Sequence, residues 1–164
     1  MRELVLIVHN IRSTHNVGSL MRTSDGLGVL EIYLTGYTPY PKEADDARLP
    51  HLADKITRQI SKTALGAEQT ISWQHSEDVF NVISSLRSEG YQMLALEQTA
   101  EAVDLPLFKA EEKVALIVGR EVEGIEPEVL AEADAHIEIK MRGKKESFNV
   151  AVAAAIALYN LSMS

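Results

Sequence analysis

The chain has 164 residues, 46% of them apolar and 24% charged, with no cysteine and a formal net charge of -8. That length sustains one buried core; the missing cysteines exclude disulfides, thiolate nucleophiles and cysteine zinc sites, and the acidic balance argues against a generic nucleic-acid binder with a net basic face. No apolar run approaches the roughly 20 residues of a membrane span, and Met1-Arg2-Glu3 before a short apolar segment is unlike a signal peptide, so a single cytoplasmic domain over 1–164 is predicted.

Leu4 to Val8 is a continuous apolar run suited to a strand buried on both faces. A polar segment follows, and Val17 to Leu27 has helical apolar spacing with Asn16 placed to cap it. Leu30 to Leu34 reads as the second strand. Gly36 to Pro50, rich in proline and acids, is a long polar loop of the substrate-side or mobile kind. Asp54 to Leu65 is an amphipathic helix, Thr70 to Trp73 a short third strand, and Ser76 to Arg87 a helix begun by Ser76 with acids in its first turn. Tyr91 to Leu96 and Val114 to Val118 are further buried strands. Pro127 opens a short helix ending near Ala133, and the strand Ala135 to Ile139 leads to a final helix from about Ser147 to Leu161. Apolar strands alternating with helices predict an α/β fold: a mostly parallel sheet with helices on both faces.

In such sheets ligands bind beyond the carboxyl ends of the strands. Three segments stand there. The first runs from His9 to Arg22, with Asn16 at the helix start and Arg22 far enough along it to turn toward neighbouring strand ends or to sit as a surface residue. In the second, Gly119-Arg120-Glu121-Val122-Glu123-Gly124-Ile125, two glycines bracket Glu121, which suits close approach of backbone to a ligand or a solvated acidic connection. The third carries Lys140, Arg142, Lys144 and Lys145 into Ser147-Phe148-Asn149-Val150. It places positive charge beside helix-start N–H groups, or forms an ordinary cap with a solvated lysine loop. His9, His15, His51, His75 and His136 show no helical i, i+4 pairing, so no metal site is expected. Neither a G-x-G-x-x-G nor a G-x-x-x-x-G-K-S/T motif is present.

Taken in order, Asn16-x5-Arg22, Gly119-x-Glu121-x-x-Gly124-Ile125 and Ile139-x-Met141-x-Gly143-x3-Ser147-Phe148-Asn149-Val150-x-Val152-Ala153, with Lys62 to Ala67 between them, the sequence resembles the SpoU (TrmH-like) RNA 2'-O-ribose methyltransferases of the SPOUT superfamily. The resemblance spans nearly the whole chain, as a bare catalytic domain without an RNA-binding extension. It implies a C-terminal trefoil knot, a rare exception to unknotted topology, a homodimer, and S-adenosyl-L-methionine as cofactor. Gly119, Ile139, Met141, Ser147, Phe148, Asn149 and Val150 would then contact the cofactor. Arg22, Asn16, Glu121, Ser147 and Asn149 would form the catalytic set. In it Arg22 either removes the 2'-hydroxyl proton or, as an arginine that normally stays charged, positions phosphate and ribose.

Arg12, Arg142, Lys144 and Lys145 are the expected RNA contacts. Lys140, Phe148 and Val122 depart from the family's usual proline, leucine and glycine. The implied substrate is a structured RNA, tRNA ahead of rRNA, with no membrane or metal involved. The other reading is a non-catalytic RNA-binding or RNA-assembly module that keeps the knotted fold.

Overall fold

The computed structural model describes residues 2–163. These residues form strands β1 (Glu3–His9), β2 (Glu31–Thr35), β3 (Trp73–Ser76), β4 (Gln92–Leu96), β5 (Val103–Asp104), β6 (Lys113–Val118) and β7 (Ala135–Glu138). The helices are α1 (Thr14–Gly26), α2 (Pro50–Ala64), α3 (Ala67–Thr70), α4 (Val79–Ser88), α5 (Pro127–Leu130) and α6 (Val150–Met163). All strands join one parallel sheet in the order β3-β2-β1-β6-β4-β7-β5.

The period-two alternation of a strand explains why β1 is apolar at successive positions. Leu4, Leu6 and Val8 enter the larger core with residues of α1, α2 and α6. Val5 and Ile7 enter a second core with Val82, Ile83 and Leu86 of α4. With both faces covered, the carboxyl ends of β1, β4, β6 and β7 share one edge, where the chain emerges as irregular loops. The expected α/β class and parallel sheet are therefore present.

Several boundaries differ from expectation. The strand predicted at Thr70 to Trp73 lies three residues later, because Ala67–Thr70 is helical. Buried Glu68 holds that turn by accepting from Gly66 N–H (3.0 Å) and Ser61 Oγ (2.6 Å). Ser76 ends β3, and Asp78 rather than Ser76 caps α4 by accepting from Phe80 N–H (2.8 Å). Helix α2 starts at Pro50, four residues before the predicted Asp54, with proline in the first turn where its missing N–H costs nothing. The short strand β5 was not expected.

The loop before α2 is gathered around one arginine. Arg48 donates to Tyr40 O (3.0 Å), Pro41 O (3.1 Å) and the Asp46 carboxylate, and its guanidinium lies 3.6 Å from the Tyr40 ring centroid. Tyr40 in turn stacks on His75 at 3.8 Å. The Arg48 hydrogen bonds hold the Asp46 carboxyl well below the usual carboxylate range.

Candidate functional site

A cavity of about 260 Å³ opens at the shared carboxyl edge, lined by the segments that follow β4, β6 and β7 and by the start of α6. Its floor is the turn after β6. Gly119 is buried because the chain folds back on it: a Cβ there would lie 2.6 Å from Ile125 Cγ1. Arg120 and Gly124 close the turn through Gly124 N–H to Arg120 O (3.2 Å) and Arg120 Nε to Gly124 O (3.1 Å). Gly124 has φ +72, and a Cβ on it would collide with the Glu97 carboxylate. Only glycine meets both demands. The cavity wall combines apolar Leu96, Val118, Ile139, Phe148, Val150 and Ala153 with the carboxylates of Glu97, Glu121, Glu138 and Glu146.

Glu97 was not singled out by the sequence. Its carboxylate accepts from Ile125 N–H (2.9 Å) and Gln98 N–H (3.0 Å), while the Gln98 amide donates to Glu146 O (3.0 Å). Two successive residues thus tie the end of β4 to the glycine turn and to the last loop. The sequence signal was indirect: a glycine-bracketed turn requires something to fill the space a side chain would have occupied.

The first-helix expectation needs correction. Ser13, not Asn16, caps α1, accepting from Asn16 N–H (3.2 Å). The Asn16 side chain is therefore available for long-range contacts. Its Nδ2 donates to Glu121 Oε1 (2.8 Å), and its Oδ1 accepts from Asn149 Nδ2 (3.1 Å). Asn149 is itself the cap of α6, accepting from Ala151 N–H (2.9 Å), so the final helix begins at Val150 rather than at Ser147. Residues 105 and 133 positions apart are locked into one polar chain, Glu121–Asn16–Asn149. Ser147 lines the cavity beside it.

Of the other predicted residues, Gly119, Ile139, Phe148 and Val150 line the cavity, whereas Met141 and Arg22 do not. Arg22 is exposed, about 9 Å along α1 from Asn16 at 1.5 Å per residue. It lines a separate cavity with Ser19, Thr23, Lys62, Thr63 and Leu65. Arg142, Lys144 and Lys145 are exposed on the loop between β7 and α6, and Lys140 pairs with Asp104 (3.5 Å). Arg12 is exposed with its guanidinium 5.5 Å from the Tyr37 ring centroid.

A second polar cluster backs the turn. His9, at the end of β1, contacts Thr35 Oγ1 through Nδ1 (2.9 Å). Its Nε2 faces Asn10 Nδ2 (3.1 Å) and Glu126 Oε2 (3.4 Å). Asn10 Nδ2 also donates to Glu126 Oε1 (2.8 Å), which lies 3.6 Å from Arg120 Nε. Burial pushes the His9 imidazole below its ordinary value, against the upward pull of Glu126. Burial raises the Glu126 carboxyl, but the Asn10 hydrogen bond, its own backbone and the charges of His9 and Arg120 outweigh it and leave the group below its ordinary value.

Among the described residues no helix is long and apolar enough to cross a membrane, and no group of three or more His, Asp or Glu is placed to hold a metal.

The sequence profile of the SpoU rRNA Methylase family matches residues 3–159. A tRNA (guanosine(18)-2'-O)-methyltransferase of Aquifex aeolicus (strain VF5) is 30% identical over 161 residues, covering 96% of this chain and 68% of the relative. The solved structure of an AdoMet-bound rRNA methyltransferase from Sinorhizobium meliloti superposes with TM-score 0.81 at 25% identity, over 98% of this chain and 56% of that one. A structure described as giving insight into 2-OH methylation of C/U34 on tRNA superposes with TM-score 0.73 at 23% identity, covering 96% and 93% of the two chains. The chain spans 62% to 68% of the length of three curated tRNA-methylating relatives.

Proposed function

Because the chain belongs to the SpoU rRNA Methylase family, we propose that it transfers a methyl group from S-adenosyl-L-methionine to a ribose 2'-hydroxyl of a structured RNA, tRNA ahead of rRNA. The observation that carries this reading is the joining of Glu121, Asn16 and Asn149, one from each family motif, at the rim of a cavity floored by the glycine turn.

The residues fit the cofactor. Small residues bring main chain to the cavity surface, apolar side chains suit an adenine face, and the carboxylates on the wall complement a sulfonium charge. Gly119, Ile139, Phe148 and Val150 would hold the adenosyl part, with Ser147 and Asn149 at its edge and Met141 beyond them. When bound, the cofactor supplies an electrophilic methyl carbon. The ribose 2'-oxygen would take that methyl with S-adenosylhomocysteine as the leaving group, and the hydroxyl proton would pass to water.

For this step the chain's task is positioning and charge stabilisation. Asn16, fixed by Glu121 and Asn149, orients the ribose, and Ser147 contributes a hydroxyl beside it. The Arg22 guanidinium grips the flanking phosphate and ribose. Its separate cavity supports an arrangement that completes only with RNA or a second copy present. Val152, Ile156, Tyr159 and Met163 leave an exposed apolar stripe on one side of α6, which supports a homodimer packed through that helix.

The knotted threading of the last segment belongs to the same proposal. It is supported by β7 inserting between β4 and β5 and by the Gln98–Glu146 contact across that connection. The reading is also of one catalytic domain working in the cytoplasm, with RNA reaching it through Arg12, Arg142, Lys144 and Lys145.

The test is transfer of labelled methyl from S-adenosyl-L-methionine to bulk tRNA and, separately, to ribosomal RNA. Incorporation into tRNA is expected. Cofactor binding without incorporation into either pool would favour the non-catalytic RNA-binding reading.

A further inference from the structure

At the carboxyl end of β2, beside the loop that leads into α1, an aromatic ring is displayed to solvent. Tyr37 is 49% exposed. Single exposed aromatics are common and need no explanation. This one differs because the backbone beneath it is built at a conformational cost. Its N–H donates to Asn10 Oδ1 (3.0 Å), and Asn10 holds φ 54, a left-handed conformation uncommon outside glycine. Gly36, immediately before it, holds φ 65, and a Cβ there would collide with the Asn10 amide. Backbone strain of this kind persists where the surroundings over-determine it and gathers at ligand sites.

Two further contacts give the ring a direction and a partner chemistry. Arg12, from the loop that leads into α1, places its guanidinium over the ring at 5.5 Å from the centroid, within cation–π range. Asn10 reaches the other way, through Glu126 Oε1 (2.8 Å) toward Arg120, which lines the main cavity. One asparagine therefore connects the displayed ring with the glycine turn.

We propose that Tyr37 and Arg12 form a stacking platform for an unpaired base of the RNA, next to the nucleotide whose ribose is methylated. The inference rests on the RNA methyltransferase reading. An enzyme acting on a 2'-hydroxyl within structured RNA needs the nucleotide splayed from its neighbours, and a ring face accepts any base without hydrogen-bond readout. An arginine beside the ring suits the adjoining phosphate, which a neutral apolar partner would not require.

The test is the affinity of the whole protein for bulk tRNA, measured by filter binding in the presence of S-adenosylhomocysteine across a salt series. Tyr37→Leu should weaken binding about tenfold, and Tyr37→Phe should bind like the parent, since stacking needs the ring and not the hydroxyl. The dependence of log affinity on log salt should be unchanged in Tyr37→Leu and shallower in Arg12→Gln, because only the arginine meets phosphate. S-adenosylhomocysteine affinity should be the same in all of them. Parental tRNA affinity in Tyr37→Leu, or equal losses in Leu and Phe, would overturn the platform. The catalytic reading fails separately: a parent protein that binds tRNA in this pattern but transfers no methyl leaves the platform standing. A parent that binds no tRNA is carried through the same series on ribosomal RNA, and one that binds neither overturns both.

Discussion

The glycine turn and the basic loop both border the cavity and are built in opposite ways. In the turn from Gly119 to Ile125, backbone groups are paired, side-chain space is filled by Glu97 and Ile125, and two glycines sit where no other residue fits. On the loop between β7 and α6, Arg142, Lys144 and Lys145 are exposed, and the loop is tied down at its α6 end by the Gln98 contact to Glu146 O and the Asn149 cap. Pre-organisation suits a small rigid ligand, whose affinity depends on positions fixed beforehand. Exposed charge suits a polyanion met at many points. On the proposed function, the difference separates the cofactor side of the site from its RNA side.

The largest expected effect breaks neither region but the step between them. Arg22→Ala should lower methyl transfer by about 10²- to 10³-fold, as loss of a transition-state charge partner does. Cofactor affinity measured by calorimetry should stay unchanged, because Arg22 lies outside the main cavity. A variant of parental activity would remove Arg22 from the mechanism.

The turn should be broken next by Gly124→Ala, which adds a Cβ at positive φ against the Glu97 carboxylate. Cofactor affinity should fall roughly tenfold and stability by about 1 kcal/mol or more. Glu97→Ala should reproduce the affinity loss, and Glu97→Gln should recover most of it, since an amide oxygen still accepts from Ile125 N–H. Equal losses in Ala and Gln would show that the charge, not the hydrogen bond, matters.

The basic loop gives the complementary result. Lys144→Glu with Lys145→Glu should leave cofactor affinity intact, weaken tRNA binding and reduce the salt slope by about 2. An unchanged slope would place the RNA elsewhere.

The smallest effect is a pH dependence of stability from the cluster behind the turn. His9 and Glu126 both titrate below their ordinary values in the folded protein, so the unfolded chain binds more protons in acid. Their contribution is present above about pH 6.5, the ordinary imidazole value, and is lost as pH falls through the lowered folded values, His9 first and Glu126 below about 4.5. His9→Gln should flatten the thermal-midpoint profile between pH 7 and 5, while a steeper profile in that variant would assign the sign wrongly.

The strand core was legible because apolar runs such as Leu4 to Val8 and Val114 to Val118 have few alternatives once both faces must be covered. Boundaries failed at helix starts, where several neighbouring polar residues compete to cap. Ser76, Asn16 and Ser147 were each read as local helix starters. Asp78, Ser13 and Asn149 cap instead, which leaves Asn16 to bridge segments far apart in sequence. The site motifs were legible as spacing, yet spacing did not place Arg22 outside the cavity. Glu97 and Tyr37 carried no motif, because one acts on the backbone of a turn it does not belong to and the other depends on a conformation imposed by Asn10.

The most direct test of the central claim is nucleoside analysis of RNA methylated by the purified protein with labelled S-adenosyl-L-methionine. After complete nuclease digestion, the account predicts the label on the ribose of one nucleoside as a 2'-O-methyl group, and clearly less of it when Asn16→Ala replaces the parent. Label on a base, or label incorporated equally by Asn16→Ala, would contradict it.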